Sequence, residues 1–171
     1  MDLSINYATE QYCYAVKVRS NGEHRTADAL RQKGHHVLLP HYLQFRRYSD
    51  RIKKVPRALF PGYVFVCMNE RSVLSVVTTF GVHYIVGFGS TLKPLAEHEA
   101  KAVEALCEPK VKSEPCEIYT VGKKVVITQG YFCGLTGTLQ NVKDQTKVII
   151  SIDSLQIAFR VTLSPCAFTI F

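Results

Sequence analysis

The sequence predicts an α+β domain, in which helices flank an antiparallel sheet, followed by a small all-β barrel. Strand-like and helical segments alternate in the order β-α-β-β-α-β-α across residues 11–107, which is typical of an α+β sandwich. Residues 108–117 contain two prolines and few apolar side chains, which favours a linker. Residues 118–171 hold short β-branched runs separated by glycines, which predicts a barrel. Residues 1–10 are interpreted as a flexible tail.

The α+β domain should open with a strand and a helix. Residues 13–19 alternate and are rich in strand formers. Ser20 is followed three residues later by Glu23, which is the pattern of a capping box. We therefore expect a helix that begins here, runs to about Lys33 and ends at Gly34.

A hairpin with a long, charged tip should follow this helix. Residues 36–45 predict one strand, in which Pro40 forces an edge position or a bulge, and residues 58–67 predict the next. The domain is then expected to close with a short helix, a strand and a longer helix: residues 70–78, 82–88 and about 96–107.

Four β-branched segments predict the strands of the barrel: KKVVIT, TGTLQNV, KVIISI and IAFRV. Gly130, Gly134, Gly137 and a Lys143-Asp144 turn are expected to separate them. A domain of this size buries little surface, but small barrels of similar length do fold.

The positive charge of the chain is concentrated in one segment. The formal net charge is +7. Residues 1–108 hold 14 basic and 10 acidic residues, net +4, yet residues 46–57 alone hold six basic residues and one acid, net +5. This projection favours a local phosphate contact with nucleic acid, and a solvated loop is the alternative. Its basic residues are Arg46, Arg47, Arg51, Lys53, Lys54 and Arg57.

Nothing in the sequence points to catalysis, a metal or a membrane. Six cysteines are scattered without a CxxC pair, which predicts reduced, structural thiols in a cytoplasmic protein. His35, His36 and His41 lack the further ligands that a metal site needs. We find no nucleophile–base pair, phosphate loop or carboxylate dyad, so neither an enzyme nor a cofactor is expected. No apolar run is long enough for a transmembrane helix, and no secretory signal is recognisable.

Two motifs resemble the NusG family of transcription elongation factors. LFPGYVFV, residues 59–66, is similar to the FPGYV strand of the family's N-terminal (NGN) domain, and Gly81-Val82 follows it. Residues 121–142, VGKKVVITQGYFCGLTGTLQNV, resemble a KOW motif, which in this family lies in an SH3-like barrel. The basic hairpin that runs into FPGYVFV, with no inserted domain, is most similar to the specialised paralogues of the RfaH and UpxY type.

The resemblance implies an elongation or antitermination factor that binds RNA polymerase across the DNA cleft and suppresses pausing or termination. The family's NGN domain grips the clamp of the largest subunit and reaches the second-largest subunit. The matching aromatic residues are Tyr14, Phe60, Tyr63 and Phe65. Tyr63 and Phe65 share one face of a strand, which can serve a partner, whereas the alternative is that all these aromatics lie in the core.

Thr78, Thr79 and Phe80 match the segment with which family members touch non-template DNA in the transcription bubble. Threonine hydroxyls can donate to phosphates, and Phe80 could stack on an unpaired base. Alternatively, Thr79 caps a turn and Phe80 packs inward. In such a complex the tip of the basic hairpin would lie toward DNA or polymerase. Its arginines and lysines would contact DNA phosphates and would not read the base sequence.

The family's KOW domain recruits Rho, a small-subunit ribosomal protein, or both. Tyr131 and Phe132, between Gly130 and Gly134, are the candidate anchors, and the alternative is that Phe132 plugs the end of the barrel. The β-branched strands predict a stable barrel and not the helical hairpin that RfaH forms. We expect a monomer.

Two departures from the family pattern concern the predicted polymerase surface. Cys13-Tyr14 replaces the usual Trp-Tyr, and Lys17 stands where RfaH places an aromatic. RfaH's His-Thr-Thr motif is not found; residues 71–75 lie nearby. The competing hypothesis is a translation-linked KOW protein that binds RNA or the ribosome, although ribosomal KOW proteins lack the FPGYVFV domain.

Overall fold

The computed structural model describes residues 11–47, 50–88, 91–116, 122–142, 145–164 and 167–170. Its strands and α-helices in chain order are β1 (Tyr12–Val18), α1 (Glu23–Gln32), β2 (His36–Leu38), β3 (His41–Arg47), β4 (Ile52–Ala58), β5 (Tyr63–Met68), α2 (Val73–Val77), β6 (Val82–Ile85), β7 (Gly87–Phe88), β8 (Thr91–Leu92), α3 (Glu97–Leu106), β9 (Ser113–Cys116), β10 (Lys123–Ile127), β11 (Thr136–Val142), β12 (Gln145–Ile152), β13 (Ile157–Thr162) and β14 (Phe168–Ile170). Short 3₁₀ turns lie at Glu70–Ser72 and Asp153–Leu155.

The chain divides into two compact units. One combines the chain up to Leu38 with Pro61–Leu95, and the other combines Leu39–Phe60 with the chain from Ala96 onwards. The second unit therefore joins the β3–β4 hairpin and α3 to the C-terminal strands. This grouping differs from the division expected from the sequence, in which residues 11–107 form one domain.

The first unit is built on an antiparallel sheet in the order β2-β5-β1-β6. Its two central strands are buried on both faces: Val64, Phe65 and Val66 follow one another along β5 and all are inaccessible to solvent. Ala27 and Leu30 form the buried stripe of α1, as their spacing along the helix predicts.

The predicted first helix is confirmed, but its capping box is wrong. Residue Gly22, not Ser20, precedes the first helical turn, and it makes no side-chain cap. The Glu23 carboxylate instead accepts hydrogen bonds from the amides of Asn21, at 3.2 Å, and of Gly62, at 2.7 Å. The helix ends as predicted at Gly34, whose φ of +84° is the conformation that glycine tolerates best.

Both strands predicted on either side of the hairpin are interrupted. The first breaks at Leu39-Pro40 into β2 and β3, and the second breaks between β4 and β5. Gly62 adopts a φ of +78° directly after Pro61, which is compatible with a turn and not with a strand. Phe60 consequently lies in a turn. β3 and β4 pair over their whole length, from His41 opposite Ala58 to Arg47 opposite Ile52.

The second unit contains a six-stranded antiparallel sheet in the order β14-β10-β11-β12-β13-β9. All four predicted barrel strands are found. The predicted linker differs in part, since β9 within it pairs with β13. Gly137 lies inside β11, where a side chain would meet the Ile149 backbone, and not in a turn. The Lys143-Asp144 turn lies outside the described residues.

These elements confirm the predicted fold class, which mixes antiparallel sheets with a few helices.

Phe159 of β13 is the centre of an aromatic cluster in the second unit. Its ring lies edge-on to Phe60 with centroids 6.0 Å apart and tilted to Phe132 at 6.3 Å. Within the described ranges, no helix has both the length and the apolar character needed to cross a membrane.

Candidate functional site

Three side chains form a row across the first sheet. Lys17 of β1 lies directly opposite Tyr63 of β5 on one side and Tyr84 of β6 on the other. Opposed residues of antiparallel strands project from the same face, so the three side chains are neighbours. The Lys17 ammonium nitrogen lies 4.0 Å from the Tyr63 ring centroid, a cation–π contact. We call these residues the tyrosine–lysine row.

The row is accessible and amphipathic. Tyr84 is 54% exposed, and Lys17 and Tyr63 are half-buried. An aromatic ring that is partly exposed and already paired with a cation offers a partner apolar area at little cost in side-chain entropy. The sequence did not single out Tyr84, because its place beside Lys17 depends on how β6 pairs with β1.

The other predicted polymerase-binding aromatics are buried. Phe65 and Phe60 have 0% and 1% of their surface accessible. Tyr14 lies opposite Val66, on the face of the sheet that Tyr63 does not share. Burial raises the pKa of the Tyr14 hydroxyl, and Glu70 and Tyr12 add to the shift. Phe60 belongs to the second unit and the other three aromatics to the first, and Tyr63 alone among the four is partly exposed.

Two glycine turns position the row. Gly62 precedes Tyr63, and a side chain there would lie 2.9 Å from the Lys17 ammonium nitrogen. The bond from the Gly62 amide to Glu23 anchors this turn to α1. Gly81 has a φ of +89°, and its carbonyl accepts the Arg19 amide at 2.9 Å, directly after β1. A larger residue at Gly62 would therefore strike Lys17, and one at Gly81 would strike Thr26 of α1.

The segment from Thr78 to Phe80 combines both alternatives drawn from the sequence. The Thr78 and Thr79 hydroxyls each donate a 2.8 Å hydrogen bond to a carbonyl four residues earlier. Thr79 is buried, as the turn-capping alternative requires. Phe80, in contrast, is 65% exposed and does not pack inward. The Arg25 guanidinium lies 5.1 Å from its ring centroid, so an aromatic face and a cation occur side by side.

The hairpin has two chemically different faces. Arg46 lies directly opposite Lys53, and Tyr42 opposite Arg57, on one face. Like charges that face each other across strands repel. A phosphate between Arg46 and Lys53 would relieve that repulsion.

The opposite face of the hairpin is apolar and exposed. Leu43, Phe45 and Ile52 share this face and are each more than half exposed. Lys54 lies opposite Phe45, with its ammonium nitrogen 5.4 Å from the ring centroid. These apolar residues were missed in the sequence because the surrounding charge obscured the alternation along β3. Of the six basic residues, only Arg57 is half-buried.

Tyr131 and Phe132 point to different environments. Tyr131 is more than half exposed, whereas Phe132 is buried against Phe159. Phe132 thus plugs the aromatic cluster, which was the alternative to a partner contact. Tyr131 also lines a cleft of about 560 Å³, whose other wall is α3 with Glu97, Lys101 and Glu104.

A cluster of three charged side chains links three strands of the second unit. Glu114 of β9 accepts bonds from Lys147, at 2.6 Å, and from Arg160, at 3.2 Å. The Lys147 hydrogen bond, with Arg160 adding, lowers the pKa of the Glu114 carboxyl. The cluster is structural, because both cations are largely enclosed. In the described part of the chain, no three metal-ligating side chains come together.

Comparison with known proteins identifies similar chains. The sequence profile of the family described as transcription termination factor nusG matches residues 11–126. The transcription termination/antitermination protein NusG of Vibrio vulnificus is 31% identical over 163 residues, covering 85% of this chain and 88% of its own. That of Staphylococcus carnosus is 30% identical over 155 residues, covering 86% and 85%. A solved structure of Thermotoga maritima NusG, titled for its domain interaction, has the same fold: its TM-score is 0.60 at 22% identity, covering 92% of this chain and 96% of its own.

Proposed function

Because this chain belongs to the NusG family, we propose that it binds RNA polymerase during elongation and changes pausing or termination. Relatives of similar length are transcription termination/antitermination proteins, and the chain is a factor of that class. Such proteins are transcription factors and not enzymes, in agreement with the sequence prediction.

The tyrosine–lysine row is the observation that carries the proposed polymerase contact. It supplies partly exposed aromatic area on a rigid sheet, as binding anchors usually do. It contains Tyr63, the accessible member of the predicted aromatic set, and Lys17, which stands where RfaH has an aromatic. Tyr84 supplies aromatic area next to that lysine. We therefore propose that this row contacts the clamp of the largest subunit, and that the buried Phe65 supports it from the core of the same sheet.

A pull-down with core RNA polymerase tests this assignment. The double variant Tyr63→Ala with Tyr84→Ala should weaken binding at least tenfold, because two anchors are lost. Tyr12→Ala is the matched control. Tyr12 is also 54% exposed, but it lies two residues from Tyr14 on β1 and projects with it from the face opposite the row. Equal loss of binding in the control and the double variant would remove the row as the contact.

The exposed Phe80–Arg25 pair and the basic hairpin are the proposed nucleic-acid contacts. A base can stack on Phe80 while Arg25 meets its phosphate. The Thr78 and Thr79 hydroxyl protons are used within the turn, so these residues are proposed to shape the segment. Phe80→Ala should reduce crosslinking to non-template DNA in a reconstituted bubble, whereas Leu74→Ala, an exposed apolar control on α2, should not.

The hairpin is proposed to act through phosphates and not through sequence. Neutralising Arg46, Arg47, Lys53 and Lys54 to glutamine should flatten the dependence of complex formation on salt concentration, because fewer counterions are released. An unchanged slope would make the run a solvated loop. A control variant with four other exposed lysines neutralised should keep the steep slope: Lys93, Lys110, Lys112 and Lys123.

The C-terminal strands are proposed to form the KOW domain, residues 118–171, behind an NGN domain of residues 11–107. Tyr131 is the proposed anchor for Rho or a small-subunit ribosomal protein. Tyr131→Ala should lower partner capture without changing the pause lifetime in transcription by purified polymerase. If the chain instead bound ribosomes and left pausing unchanged, the translation-linked alternative would replace this proposal. We also propose that the protein is cytoplasmic and monomeric, and that its basic hairpin makes it most similar to the RfaH and UpxY type.

A further inference from the structure

Two cysteines lie directly opposite each other in the first sheet. Cys13 of β1 faces Cys67 of β5 in the antiparallel register, although 54 positions separate them in the sequence. Both thiols are reduced in the structure. Opposed residues project from the same face, so the two side chains are neighbours. The same register places the imidazole-bearing His36 of β2 opposite Cys67.

The hydrogen bonds show which kind of pair the cysteines form. Continuing the register of β1 and β5 places Val18 opposite Gly62, and the Val18 amide donates to the Gly62 carbonyl at 2.9 Å. Val18 and Gly62 are therefore a hydrogen-bonded pair. Because the two pair types alternate along an antiparallel ladder, the even-numbered residues of β1 form the hydrogen-bonded pairs. The Cys13 carbonyl points away from β5 and accepts the Leu95 amide at 2.8 Å. Cys13 and Cys67 are therefore a non-hydrogen-bonded pair, the narrower of the two types.

This type of pair suits a disulfide. Its α-carbons are usually about 4.5 Å apart, and that separation falls at the short end of the range of about 4.4–6.8 Å seen in disulfides. A pair of this type therefore meets the α-carbon spacing that a disulfide requires. The other described cysteines offer no such arrangement: Cys107 ends α3, Cys116 lies on β9 and Cys133 lies in a turn.

Accessibility gives the two thiols different roles. Cys67 is half-buried and open to a small oxidant, whereas Cys13 is buried, with 8% of its surface accessible. The more exposed thiol is the one that meets an external disulfide first. The buried thiol then needs only to reach its cross-strand neighbour, which is an intramolecular step.

We propose that Cys13 and Cys67 are a redox-active pair that a small-molecule disulfide, of the glutathione class, converts to a cross-strand disulfide. The Cys67 thiolate attacks the small disulfide, forms a mixed disulfide and releases one thiol. The Cys13 thiolate then attacks the Cys67 sulfur and releases the second thiol. The two protein thiols lose two electrons and two protons, and the small disulfide is reduced to two thiols.

The bond would tie together the strands that carry the tyrosine–lysine row. β1 contributes Lys17 and β5 contributes Tyr63, four residues along each strand from the cysteines. The loop that the bond closes spans α1, β2 and the hairpin, so its closure restricts the unfolded chain strongly. Oxidation is therefore expected to raise the midpoint of thermal unfolding by several degrees, and a reducing agent should reverse the change.

The test is a non-reducing peptide map of the full chain after incubation with oxidised glutathione. The expected result is a linked peptide pair containing Cys13 and Cys67, with those thiols protected from maleimide, whereas the exposed Cys133 should carry at most glutathione and no protein cysteine. Full maleimide labelling of Cys13 and Cys67 after oxidation would overturn the proposal. Linkage of either cysteine to a different one would also overturn it.

Two variants separate the steps. Cys13→Ser should stop the reaction at the mixed disulfide on Cys67, detectable as added glutathione mass that dithiothreitol removes. Cys133→Ser, the matched control at an exposed thiol, should form the Cys13–Cys67 bond at the wild-type rate. If the wild-type chain accumulated the mixed disulfide without closing the bond, the pairing would be refuted even where Cys13→Ser failed to fold.

Discussion

Replacing Glu23 by alanine tests how α1 anchors the turn that precedes Tyr63. The Glu23 side chain is 7% exposed, and one carboxylate oxygen accepts the amides of Gly62 and Asn21. Gly62 is itself buried, so water cannot easily replace the lost acceptor. The substitution therefore removes a charge-assisted hydrogen bond and leaves a buried donor without a partner.

The expected loss of stability is about 3 kcal/mol. A hydrogen bond to a charged group contributes about 1.5–3 kcal/mol, and an unsatisfied buried donor costs about 1–3 kcal/mol, two descriptions that partly overlap. Glu23→Gln keeps an acceptor oxygen in place but loses the charge, so about 1 kcal/mol is expected for it. Asp28→Ala is the control: this exposed carboxylate of the same helix forms a surface ion pair with Arg31, which predicts a change below about 0.5 kcal/mol.

Urea unfolding of the three variants gives these differences, and amide hydrogen exchange at Gly62 locates them. Faster exchange at Gly62 in Glu23→Ala, with slower exchange retained in Glu23→Gln, is the expected pattern. A Glu23→Ala variant as stable as Asp28→Ala would refute the anchoring role. Polymerase affinity of Glu23→Ala should fall with that of Tyr63→Ala if the turn positions the row.

Three further predictions concern stability and pH. Gly81→Ala should lower the free energy of unfolding in urea by about 3 kcal/mol, because Gly81 has a positive φ and its new side chain would strike the buried Thr26 hydroxyl. Gly34 also has a positive φ but has open space around it, so Gly34→Ala should cost only about 1 kcal/mol. Lys147 and Arg160 lower the pKa of Glu114 below its ordinary 4.5. The contribution of this ion cluster to the free energy of unfolding is therefore complete above pH 4.5, and it is lost as the pH falls through the folded-state pKa. Glu114→Gln should therefore be less stable than wild type at neutral pH and converge with it in acid, and a constant difference would contradict this. Phe132→Ala should cost about 3–4 kcal/mol, whereas Tyr131→Ala should change thermal stability little; the reverse order would exchange their assigned roles.

The elements predicted from the sequence are largely those that local rules decide. The helix over residues 23–32 follows from its apolar spacing and Gly34, and the C-terminal strands follow from β-branched density between glycines. Their boundaries were less predictable. Pro40 and Pro61-Gly62 broke two expected strands, since a short-range pattern does not show where strand pairing stops. The capping-box prediction was wrong because the Glu23 carboxylate accepts a hydrogen bond from the amide of Gly62, which is distant in sequence.

The candidate site divides in the same way. The basic hairpin and Tyr63 were found from charge and motif, which are visible in one stretch of residues. Tyr84 was missed and Phe65 was placed on a partner surface although it is buried, because exposure depends on what covers each face of the sheet. Phe132 and Tyr131 are adjacent in sequence, and only packing against Phe159 distinguishes the buried ring from the exposed one.

The sequence alone determined the fold class, the family and the location of the charge, because composition, periodicity and motifs are local properties of the chain. The tertiary structure decided the strand register, and the register decided which side chains face each other. It placed Lys17 between two tyrosines, Arg46 opposite Lys53 and Cys13 opposite Cys67. Long-range strand pairing brings distant residues within a few ångströms, and no short window of sequence records which residues will face each other.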